Sequence, residues 1–242
     1  MRYGRISMRN DVNIQRFITR LAMFQGEHVF NPWWDYAVAL DISPNAPAIR
    51  RQQLADYFQP RLGHSPYIIV AEAVGYQGGR FSGIAITCER MLLGEHPKVK
   101  KEDIFASDIE GQRTSNPSCE LLNNKQQEVG FNEPTDTVVW GAILENHLNP
   151  YDFLLWNIFP FHPHKLGNPL SNRTPTQTEL DLGWEFTRDL LQVHGDAKIL
   201  AVGQKAAQTM AYYGVDAVAL RHPANGGASL YREGFKRALG LL

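Results

Sequence analysis

The chain is poor in cysteine: Cys88 and Cys119 are the only two among 242 residues. That excludes a disulfide framework, and a chain this long can bury enough apolar surface to fold without one. Long apolar runs are missing too. None approaches the roughly 20 residues that a membrane helix needs. The first residues, MRYGRISMRNDVNIQRF, are basic but contain no apolar stretch, so no cleaved secretory signal is expected. Nor is there an excess of one charge. Lys and Arg number 24 against 25 Asp and Glu, a net charge of −1. Such a balance excludes a surface that grips a polyanion all over, so any polyanion must be held by a local patch and backbone amides. A reduced, cytoplasmic, monomeric single domain over residues 1–242 is the expectation.

What is present is ordinary for a globule: 43% of the chain is hydrophobic and 11% of the chain is aromatic, which supplies ample surface to bury. Residues 1–65 read as a helical extension. Asp11 is placed to cap a helix whose Ile14, Phe17, Ile18, Leu21 and Phe24 share one face. Residues 47–62 repeat that spacing. The texture then changes to short, continuous apolar runs: YIIVAEA (67–73), DFLLWN (152–157), AKILAVG (197–203) and DAVALRH (216–222). Continuous apolarity suggests strands covered on both faces. Helical patterns lie between them. Thr176 and Glu179 stand at capping-box spacing, Gly214 suits a helix stop, and REGFKRALGLL closes the chain. This alternation predicts a three-layer α/β/α fold around a four-stranded parallel sheet. Residues 90–135 are the least legible and read as an insertion over the sheet edge.

Chemistry in parallel α/β sheets sits beyond the carboxyl ends of the strands. Glu72 ends the first run, Asn157 the second and His222 the fourth. An acid, an amide and an imidazole are therefore expected to face one crevice. Each has a plainer role open to it: a helix-terminus partner, a turn closer, a loop spacer. Two glycine-rich loops follow, GYQGGRFSG (75–83) and PANGG (223–227). Neither fits a dinucleotide or P-loop fingerprint, but both expose backbone N–H groups that suit an anion. His162 and His164 lack further ligands at a recognisable spacing, so neither a metal nor any other cofactor is expected.

In this order, the segments resemble the uracil-DNA glycosylase superfamily. AEAVG (71–75) is similar to the GEAPG motif of one branch, LLWN (154–157) to the strand ending in a base-reading Asn, and NRTPTQTEL (172–180) to an NRxPTxxE segment. AVGQKA (201–206) resembles the third-strand turn, and HPANGG (222–227) stands where an HPS-type motif approaches DNA. The resemblance implies extrusion of a deaminated base from DNA and hydrolysis of its N-glycosidic bond. It implies Asn157 as reader of the base edge, His222 as stabiliser of the departing anion and Glu72 as the acid that orients water. Gly75 replaces a Tyr that limits C5 substituents, and Ile86 falls where an aromatic stacks on the base. Tyr76 and Phe159 are candidates to stack in its stead. Amides around Ser82 and around Asn225, Gly226, Gly227 and Ser229 are candidates for the phosphates.

The departures are specific. Ala73 stands where the classical branch has a water-activating Asp, Val74 replaces the motif proline, and glycines follow His222 where that branch has a wedging Leu. The iron–sulfur cluster of the GEAPG branch needs more cysteines than the two present. Two other readings stay open: a binding relative that has lost hydrolysis, and a hydrolase of free nucleosides or nucleotides.

Overall fold

The computed structural model describes residues 2–106 and 108–242, with side chains from residue 11 onward. In chain order it comprises α1 (Arg2–Ala22), β1 (Val29–Phe30), α2 (Ala46–Phe58), β2 (Tyr67–Ala73), α3 (Gly79–Ser82), α4 (Glu89–Leu92), α5 (Asn124–Val129) and α6 (Pro134–Glu145). β3 (Phe153–Phe159), β4 (His162–Pro163), α7 (Gln177–His194), β5 (Lys198–Val202), α8 (Gln204–Tyr212), β6 (Val218–Leu220) and α9 (Ala228–Ala238) follow. The four expected runs form one parallel sheet in the order β3-β2-β5-β6. From β2 the chain steps one way to β3, then back across to β5 and β6. Right-handed crossovers therefore put α6 on one face and α7 with α8 on the other. That is a three-layer α/β/α arrangement, with the direction of winding reversing at β2.

Burial explains the strand texture. All seven residues of β3 are buried, and Ile68, Ile69 and Val70 of β2 are fully so. Each such side chain contributes on the order of 1.5–3 kcal/mol by leaving water. Trp156 is the pivot of one face: its ring lies 5.7 Å from Phe17 of α1 and 6.1 Å from Phe58 of α2. Its Nε1 donates to Thr187 Oγ1 of α7 at 3.0 Å, and that hydroxyl donates to Ile158 O. α7 comes this close because residue 183 is glycine. A Cβ there would stand 2.5 Å from Ile158 O.

The N-terminal helices thus bury their apolar face in the same cluster as the sheet. α1 starts well before Asp11, which lies inside the helix and caps nothing. A short antiparallel pair, β1 with β4, was not legible in the sequence. The segment 90–135 sends Met91, Leu92, Val99, Ile104 and Phe105 into the main core and Cys119, Leu122 and Phe131 into a small second cluster, and buried polar groups tie it down. Arg61 donates to the carbonyls of Phe153, Tyr57, Ile104 and Asp103, tying the segment to the start of β3. Glu89 accepts from the backbone N–H groups of Thr114 and Ser115.

Candidate active site

A winding reversal leaves a crevice at the strand ends, because the connections leaving neighbouring strands depart to opposite faces. Here it is a cavity of about 380 Å³ over the carboxyl ends of β2, β3 and β5. Glu72, Asn157 and His222 all line it, as do Gly75 and Ile86. The sheet register explains part of this: Asn157 is paired with Ala71, one residue before Glu72 on the next strand.

Asn157 is 2% exposed, so its amide must be satisfied or available to a ligand. Nδ2 donates to Ala73 O at 3.0 Å. That bond orients the amide and leaves Oδ1 buried with no partner. The cavity thus carries a fixed acceptor, with a second Nδ2 hydrogen beside it.

His222 is half-buried against Gly203, whose φ of 88° only glycine adopts readily. A Cβ at 203 would meet His222 Cβ at 3.3 Å and the imidazole Cδ2 at 3.4 Å. The N–H of Ala224 donates to Nδ1 at 3.1 Å, so Nδ1 is an acceptor and the neutral ring carries its proton on Nε2. Burial, followed by the charge of Arg221, pushes the imidazole pKa down. At neutral pH the site has an uncharged N–H donor.

Glu72 is pulled two ways. Burial raises its pKa, and the ammonium of Lys205, 3.7 Å from Oε1, opposes the shift. Oε1 itself is buried without a hydrogen-bond partner. Ile86 supplies an apolar wall at 5% exposure and holds φ at 51°. A β-branched residue in that region carries strain of roughly 1–3 kcal/mol. Its carbonyl is held by Trp140 Nε1 at 3.0 Å.

Other expected residues lie elsewhere. Phe159 is fully buried and packs on Phe24 and Phe161, outside the cavity. Tyr76 is not a cavity wall; it meets Phe131 edge-on in a small separate cluster. Ser82 is fully buried and its hydroxyl is spent within its own turn, donating to Ile84 O and accepting from Ile84 N. No phosphate can reach it. Asn225, Gly226 and Ser229 are exposed beside His222, whereas Gly227 is buried, with no room for a Cβ beside His222 O.

The cavity also has walls the sequence reading missed. Asn172 Oδ1 accepts from the N–H of Tyr76 at 2.9 Å, hooking the glycine loop after β2. Arg173 forks onto Glu179 at 2.7 and 2.6 Å, and Thr176 with Glu179 completes the expected capping box of α7. NRTPTQTEL is therefore a brace between the loop and a helix start. Glu133 caps α6 by accepting from Thr135 N, and Asp136 follows in the first turn. Both line the cavity, and burial raises the pKa of each. Their signal was present as Glu133-Pro134, an N-cap followed by proline at the first helical position. Among the described residues no group of three His, Cys, Asp or Glu side chains could hold a metal ion, and no helix is long and apolar enough to cross a membrane. Cys88 and Cys119 are free and buried.

No family model and no curated protein matches this sequence. A solved structure does. The fold is similar to that of SMUG2 from Pedobacter heparinus. That crystal structure, of the wild-type protein, superposes with a TM-score of 0.61 over 95% of this chain and 97% of the other. Identity is 14%, so the likeness is one of fold.

Proposed function

We propose that this chain is a monofunctional DNA glycosylase that removes uracil or a related deaminated base. The observation that carries the reading is the unpartnered Oδ1 of Asn157, buried in the same cavity as a neutral His222 and the Glu72 carboxylate. SMUG2, the similar structure, belongs to the uracil-DNA glycosylase superfamily, which agrees with the motifs in order along the sequence.

The chemistry follows from the groups. A base turned out of the stack pays a few kcal/mol in lost stacking and pairing, and a site that pairs its edges offsets this. Asn157 Oδ1 accepts from the N3–H of uracil, and the free Nδ2 hydrogen donates to O4. His222 Nε2–H faces O2, where charge collects as the bond to C1′ breaks. A neutral donor suits that task, since it stabilises the anion without a prior proton transfer. Glu72 orients the water that attacks the sugar cation, with Ala73 leaving no second acid on that strand end. The exposed amides at Asn225 and Gly226 and the hydroxyl of Ser229 stand beside His222 to take phosphates.

Cleavage of duplexes bearing uracil, hypoxanthine, xanthine or a G·T pair, read by alkaline nicking, tests the reading. Excision of at least one base that is lost in Asn157→Ala supports it. Tight, salt-dependent DNA binding without excision would make the chain a binding relative, and turnover of free nucleosides alone would make it a small-molecule hydrolase.

A further inference from the structure

Of the cavity's carboxyls among the described residues, Glu72 orients water and Glu133 caps α6, which leaves Asp136 without a task. It is 4% exposed, and its Oδ2 is buried with no hydrogen-bond partner. Gly78 keeps that oxygen uncovered: a Cβ at 78 would stand 2.7 Å from it. Among the described residues no Lys or Arg pairs with Asp136 or with Glu133. The charged group that acts on it is Glu133, at the start of the same helix. The neighbouring Cys88 thiol, pushed up to about 12 by burial and then by Asp136, stays neutral beside it. A carboxyl so placed takes its neutral form, because an unpaired buried anion is far costlier than a neutral acid. Burial first, and Glu133 second, hold its pKa well above the ordinary carboxylate range.

Uracil offers such an acid nothing. With N3–H and O4 on Asn157 and O2 on His222, the remaining edge is C5–H and C6–H. Left facing it, the acid O–H goes without an acceptor and bears the cost of a buried, unmade hydrogen bond. An oxopurine read through the same lactam edge presents a ring acceptor as well, N7.

We propose that Asp136 is a catalytic residue that meets the base as a neutral acid and gives its proton to N7 of a deaminated purine as the glycosidic bond breaks. The inference rests on the glycosylase reading. The electron pair of the C1′–N9 bond passes to the base, and the proton moves from Asp136 Oδ2 to N7, so the base leaves neutral. Water oxygen bonds to C1′, and the proton that water loses restores the Asp136 acid through solvent.

The test is single-turnover excision of hypoxanthine, xanthine and uracil from duplex DNA between pH 5 and 9, with wild type and Asp136→Asn. Asn fills the same space and donates a hydrogen bond but cannot transfer a proton. Wild-type oxopurine excision should fall as pH rises through the Asp136 pKa. Asp136→Asn should lose on the order of a hundredfold on oxopurines and abolish that alkaline limb, with a defect on uracil at least tenfold smaller. A 7-deaza-hypoxanthine substrate, tested on wild type alone, should bind but resist excision. Uracil excision with no oxopurine activity overturns the role of Asp136 and leaves the glycosylase reading standing. So does an oxopurine rate unchanged in Asp136→Asn, or a 7-deaza base released as fast as its parent. Failure to excise any of the three bases overturns both.

Discussion

The cavity has two walls of different origin. One is made by strand ends: Glu72 on β2, Asn157 on β3 and His222 just past β6. The other is made by loops and one helix start: Gly75, Gly78, Glu133, Asp136 and Asn172. The strand wall inherits its positions from a sheet whose register is set by buried apolar pairs. The loop wall depends on single hydrogen bonds, such as Asn172 to the N–H of Tyr76. Regular structure places groups with little side-chain help, whereas irregular structure needs a bond for each placement.

The largest break in that contrast is expected on the strand wall. His222→Ala should lower the single-turnover rate by on the order of a hundredfold or more, since it removes a donor to the developing anion. DNA affinity, read by anisotropy, should change little. Equal losses in rate and affinity would show that the imidazole merely shapes the loop. Asn157→Ala should come next, at roughly 1–3 kcal/mol of base recognition, read as the difference in affinity between uracil-bearing and normal DNA.

Acid titration sharpens the comparison within the strand wall. Glu72 acts as a carboxylate and burial raises its pKa, so activity should fall as pH drops through a value above the ordinary one for glutamate. Glu72→Gln should erase that acid limb. Lys205→Gln removes the charge that opposes the shift, so the limb should move to higher pH. A limb that moves the other way would dissociate Glu72 from the profile. The smallest effect belongs to the loop wall: Asn172→Ala, losing one hydrogen bond worth about 1 kcal/mol. Faster amide exchange confined to residues 75–78 and a few-fold rise in KM would confirm the brace.

The same contrast explains what the sequence revealed. YIIVAEA matches β2 residue for residue, because its centre, Ile68–Ala71, is buried on both faces and carries no polar interruption before Glu72 at the strand end. Thr176 and Glu179 announced α7 through a local capping pattern. Glu133-Pro134 marks the start of α6 in the same way, but nothing in that stretch says which loop glycine Asp136 will face. Asp11 looked like a cap because polar residues precede the apolar face, yet α1 continues through them. Ser82 and Phe159 were misplaced for a shared reason: nearness in sequence to a motif says little about which way a side chain points once the chain turns. Ser82 closes its own turn, and Phe159 joins the aromatic core.

The winding reversal at β2 has one more consequence. The crevice there is a property of the backbone path, so it exists whatever side chains border it. Substitutions in its lining change the tenant without touching the foundations. Gly75, Gly78 and Asp136 are such positions, set away from the Trp156 pivot that α1, α2 and α7 share. On the glycosylase reading proposed above, a lineage built on this plan would drift from one base to another by exchanging a few lining residues. Directed evolution of new base preferences should begin at those same three.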